Sequence, residues 1–66
     1  MKVKYDLAQD ILRIRFSEEL VAESDESKNG SIIIDYDVEG NIIGIEILDA
    51  SKNVNNPKLV EYEVAA

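Results

Sequence analysis

The chain predicts a mainly β fold: a small twisted antiparallel sheet of five to six strands with at most one short helical turn near 49–53. Three observations carry this. Ser31 to Leu48, SIIIDYDVEGNIIGIEIL, places β-branched alternation on both sides of the tight acidic turn Asp37-Val38-Glu39-Gly40. Shorter alternating runs stand at 2–6, 11–16 and 59–64. Turn-forming residues separate them, Asn29-Gly30 most clearly. The expected connectivity is a meander, which either curls into a roll or partial barrel or stacks its apolar face on a second copy.

Lys2 to Asp6 sets Val3 and Tyr5 against Lys2, Lys4 and Asp6. Ile11 to Phe16 sets Leu12, Ile14 and Phe16 against Ile11, Arg13 and Arg15. Pairing Tyr5 with Leu12 and Val3 with Ile14 keeps the apolar groups together, and Leu7 to Asp10 is short enough for a hairpin connection. Helical spacing of Leu7, Ile11 and Ile14 offers a rival over 7–16, but the Arg-alternating second half favours a strand. The acidic stretch from Ser17 to Gly30 supports only a short edge strand near 20–26, whose charges discourage edge-to-edge pairing.

The central hairpin has an arguable register. With Asp37 to Gly40 as the loop, Tyr36 faces Asn41, Ile34 faces Ile43 and Ile32 faces Ile45. One face then carries Ile32, Ile34, Tyr36, Ile43, Ile45 and Ile47; the other carries Ile33, Asp35, Ile42, Gly44, Glu46 and Leu48. A one-residue slip would set carboxylates among isoleucines, at a cost of several kcal/mol each. Beyond Leu48, Asp49 is available as an N-cap for a helical turn, Asn53 to Lys58 reads as a loop, and Leu59 to Val64 alternates as a final strand. That strand either closes the sheet or pairs with another molecule.

Sixty-six residues make a single domain, 1–66, and a marginal one. With no Cys and no His, neither disulfides nor the usual zinc ligands supply stability. A very apolar sheet or a core shared with a partner must do so. Fourteen acidic against seven basic residues give a net charge of −7, which opposes binding to nucleic acid or an anionic membrane. No apolar run approaches transmembrane length and the start Met-Lys-Val-Lys-Tyr-Asp lacks a signal-peptide core. We expect a cytoplasmic protein.

Catalysis lacks its parts. Ser17, Ser24, Ser27, Ser31 and Ser51 have no His as base, and there is no Cys nucleophile. Gly30, Gly40 and Gly44 form no phosphate-binding loop. The expectation is no enzyme, no cofactor and no metal. One motif runs against this: Asp35, Asp37, Glu39, Gly40 and Glu46 fall at positions 1, 3, 5, 6 and 12 of an EF-hand calcium loop, with Ile42 at position eight. Such a loop needs flanking helices, whereas its flanks here are strand-formers. Ile11, Ile33, Ile42 and Leu48, apolar groups on the otherwise charged face, are the candidate partner interface.

Tyr5-Asp6, Asp10, Leu12, Ile14 and Phe16, then Asp35-Tyr36-Asp37, Gly40, Ile42 and Gly44 to Ser51, resemble the small prokaryotic family called domain of unknown function 2283. The resemblance covers about residues 1–52. Arg13 stands where that pattern has Tyr, and the tail from Asn53 lies outside it, so 53–66 is a loop plus C-terminal strand beside a family-like core. The resemblance implies a compact β-rich domain with no assigned activity. It also implies a likeness to small antitoxin-like proteins encoded beside toxins, and no site residues. The functional expectation is a non-enzymatic module that homodimerises or binds a small protein partner. The alternatives are an antitoxin-like inhibitor whose acidic 18–26 segment docks on a basic toxin, and calcium binding through 35–46.

Overall fold

In the computed structural model, which describes residues 1–66, the first two alternating runs form strands β1 (Lys2–Asp6) and β2 (Ile11–Arg15). They pair with Val3 opposite Ile14 and Tyr5 opposite Leu12, the register that keeps these four apolar groups on one side. The Gln9 N–H donates to Asp6 Oδ1 at 2.9 Å across the turn. No helix forms over 7–16, because the β-branched Ile11 and Ile14 fit a pleated surface better than a helical one.

Three further strands follow: β3 (Glu23–Glu26), β4 (Ile32–Tyr36) and β5 (Ile42–Ile47). A four-residue helical turn, α1 (Ala50–Asn53), follows β5. The single antiparallel sheet has the order β1-β2-β5-β4-β3. It is open and does not close into a barrel. Its order departs from a plain meander at one place, since β2 is flanked by β5 and not by β3. The composition explains this. β5 holds four isoleucines and gains most from two neighbours, whereas β3, Glu-Ser-Asp-Glu, is suited only to an edge.

The central hairpin keeps the expected faces but not the expected partners. Ile34 lies opposite Ile45, and Ile32 opposite Ile47, two residues from the predicted register. Two features add one residue each. The loop is only Val38-Glu39-Gly40, because the Asp37 N–H donates to the Asn41 carbonyl at 2.9 Å and the Gly40 N–H to the Asp37 carbonyl at 3.1 Å. Gly40 takes φ 85°, which a side chain would resist. Further along, Tyr36 faces Ile42 while Asp35 faces Gly44, leaving Ile43 as the extra residue of a β-bulge. Two slips of one restore the alternation, so the isoleucines stay together.

Leu59 to Val64 forms no strand. Residues 54–66 make two hydrogen bonds, Val54 N–H to the Ala50 carbonyl and Leu59 N–H to the Asn56 carbonyl. The expected sixth strand is therefore absent from the single chain: alternation alone leaves its backbone groups to water unless an edge is placed beside it.

The core is small. Leu12, Ile43 and Ala50 are the buried apolar residues, with Gly44 buried among the strands. A Cβ on Gly44 would lie 3.0 Å from the Ile14 carbonyl oxygen, so glycine lets β2 approach closely where a side chain would press its backbone away. α1 rests against the β1–β2 turn, and most of the apolar side is half-exposed.

Candidate interaction surface

Cross-strand partners share a face, so the register defines what each side presents. On the apolar side, Val3, Ile14, Ile45 and Ile34 form one row across β1, β2, β5 and β4. Tyr5, Leu12, Ile47 and Ile32 form the next. At the β3 edge this side ends in carboxylates, Asp25 opposite Ile34 and Glu23 opposite Tyr36. At the β1 edge it ends in Val3 and Tyr5.

The opposite side is charged. The Arg13 Nε donates to Glu46 Oε1 at 2.9 Å, and its Nη1 lies 4.0 Å from Asp6 Oδ2. Ser24 Oγ donates to Asp35 Oδ1 at 2.6 Å. Arg15 donates to the carbonyls of Ser17 at 3.2 Å and Glu19 at 3.0 Å, tying the 17–22 connection to the sheet.

The four candidate interface residues divide. Ile33 stands opposite Glu46, on the charged side. The Leu48 N–H donates to the Ser31 carbonyl at 2.8 Å and continues the β4–β5 ladder, which sets Leu48 on that same side. The β2–β5 register, carried one step past Leu12 and Ile47, puts Ile11 beside it. Ile11, Ile33 and Leu48 thus gather at one end of the charged face. Ile42 does not join them. The bulge turns it toward Tyr36, where, 52 % exposed, it lines an open groove of about 580 Å³ with Leu20, Val21, Val38 and Ile43.

The residues of the calcium-like spacing are separated by the hairpin. Asp35 is engaged with Ser24 and Glu46 with Arg13. Asp37 accepts the N–H groups of Glu39 and Asn41, each at 2.9 Å, on one carboxylate oxygen. The Asn41 backbone bond above all holds the Asp37 carboxyl below the usual carboxylate range. No group of three or more carboxylates comes together as a cation cage.

A second constellation escaped the sequence reading. Asp10, at φ 56°, accepts the Tyr5 phenol at 2.5 Å and the Ser51 hydroxyl at 2.6 Å on its two carboxylate oxygens. Its Oδ1 also takes the Ser51 N–H at 3.0 Å, and its carbonyl takes the Ala50 N–H at 2.9 Å. Asp10 therefore caps α1 from across the fold. Asp49, the expected cap, sits in the left-handed region at φ 49° and makes no side-chain cap bond. The bonds from Ser51 and Tyr5 lower the Asp10 pKa, and the Asp10 bond raises that of Tyr5. Only the separation in sequence hid this, since 41 residues part Asp10 from Ser51.

All three members of that cluster fall within the segment, residues 2–51, that matches a family model described as "Protein of unknown function (DUF2283)". The chain belongs to that family. The DUF2283 segment spans all five strands and ends inside α1, so the tail is an addition to the shared sheet. No curated protein and no solved structure matches the chain. No helix is long and apolar enough to cross a membrane.

Proposed function

We propose that this DUF2283 chain is a non-enzymatic module that associates with a second copy of itself through the apolar side of its sheet. One observation carries the reading: a sheet side built from Val3, Tyr5, Ile14, Ile32, Ile34, Ile45 and Ile47 has no second layer over it, and only Leu12, Ile43 and Ala50 of the apolar residues are buried. A sheet with one apolar face needs something packed on it, and burial contributes about 25 cal/mol per Å² of apolar surface. The polar side chains support the same view. Asp10, Asp35, Asp37 and Glu46 are each engaged in structural hydrogen bonds, and no His or Cys stands by to act as base or nucleophile. Sedimentation equilibrium over a wide concentration range tests it. A species of twice 7.4 kDa is expected, and a single 7.4 kDa species at the highest concentration overturns the reading.

A second reading has its own observation. β3 is exposed along its whole length and presents Glu23, Asp25 and Glu26 on a free edge. Such an edge suits a basic protein partner, as in an antitoxin-like inhibitor. Co-purification of a basic neighbour, lost when Glu18, Glu19, Glu23, Asp25 and Glu26 are neutralised, would establish it; persistence of the complex would remove it.

A further inference from the structure

The sheet has two free edges of opposite character, and the chain carries a segment that fits one of them. The β3 edge is acidic on both sides: Glu23 and Asp25 border the apolar face, Glu26 the charged one. The β1 edge borders the apolar face with Val3 and Tyr5 and the charged face with Lys2, Lys4 and, at its far end, Asp6. Leu59 to Val64 alternates in the complementary sense, with Val60, Tyr62 and Val64 against Leu59, Glu61 and Glu63. Its apolar groups are exposed, 77 % for Tyr62 and 79 % for Val64, and no hydrogen bond joins residues 60–66 to the rest of the chain.

We propose that residues 59–64 of one copy add to the β1 edge of a second copy as a sixth strand, and that the exchange is reciprocal. The proposal rests on the homo-oligomer reading above and adds an edge seam to the contact over the apolar side. In either strand direction, Val60, Tyr62 and Val64 extend the apolar side beyond Val3 and Tyr5, while Glu61 and Glu63 come beside Lys2 and Lys4. Opposite charges directly across a ladder stabilise it and like charges destabilise it, so the same segment is repelled by β3. The chain's own tail does not occupy the β1 edge; the Asn56–Leu59 turn, with Asn56 at φ 45°, lies between α1 and the alternating run. The exposed area agrees with a missing partner. A compact chain of 7.4 kDa exposes about 4,200 Å². This one exposes 5335 Å², an excess of about 1,100 Å² set against the roughly 800 Å² per partner of a standard interface.

The test uses the full chain, with sedimentation equilibrium and amide hydrogen exchange on the same samples. The wild type is expected to dimerise, with alternate amides among 60–64 slowed only at concentrations where the dimer forms. Lys2→Glu with Lys4→Glu, or Glu61→Lys with Glu63→Lys, is expected to weaken dimerisation about tenfold or more, and the four together to restore it to within a few-fold. All four positions are exposed, and circular dichroism of each variant checks that the sheet is kept. A dimer indifferent to both charge reversals, with 60–64 exchanging as an open chain, overturns the seam and leaves the association standing. A monomer whose 60–64 amides are slowed at every dilution means that the tail closes its own sheet, which also overturns it. A monomer with an open tail overturns the seam and the association together.

Discussion

Asp10 occupies a backbone conformation that few side chains accept, and its carboxylate joins Tyr5 to Ser51. Asp10→Ala is expected to lower the melting temperature by several degrees, because alanine tolerates the left-handed region poorly and leaves the Tyr5 phenol, the Ser51 hydroxyl and the Ser51 N–H without their partner. Asp10→Asn keeps an acceptor and the backbone preference, so it is expected to lose less; thermal denaturation of the two variants side by side checks the order. The same bonds set a pH dependence. Asp10 and Asp37 have folded pKa values below 3.8, so their contribution is complete above that value and is lost as the pH falls through the lowered ones. Tyr5 is raised above 10.0, so its contribution is complete below that value and is lost as the pH climbs through the folded one. Urea midpoints measured from about pH 2 to pH 11 should fall at both ends, and Asp10→Asn should flatten the acid limb.

Strand-level specification differs between the two hairpins. The β1–β2 pairing follows from alternation because Val3, Tyr5, Leu12 and Ile14 share one side and no bulge interrupts the ladder. In β4–β5 the faces were legible and the partners were not: Ile42-Ile43 is apolar at both positions, so nothing in the pattern marks which of them is left over. Gly44 marks the place only in retrospect, by its contact with Ile14. Gly44→Ala is expected to destabilise the fold by about 1–3 kcal/mol, through a clash with β2 backbone that no side-chain rotation relieves. Gly40→Ala, in open space but at positive φ, should cost about 1–2 kcal/mol. Urea denaturation of both variants separates a packing cost from a conformational one. Strand order was also hidden, since composition placed β3 at an edge but did not say that β5 would part β2 from it.

At the scale of the whole molecule, the chain is broad and thin, with extents of 36 × 33 × 20 Å, and in the proposed association its stability would depend on what covers the apolar side. Its melting temperature is expected to rise with protein concentration, as it does for any chain that folds and associates together, and scans at tenfold steps of concentration check this. Of the four interface residues suggested by sequence, Ile11, Ile33 and Leu48 lie on the other side, and their substitution is expected to leave that dependence unchanged. The clamp on Ala50 and Ser51 has a mechanical corollary. Because it pins the root of the C-terminal arm to the tip of the first hairpin, it limits the volume that arm can sweep and, in the proposed exchange, would set its local concentration at a neighbour's border. Release of that root would dilute the arm without touching its sequence, so a polar contact at residue 10 would govern how readily two molecules clasp.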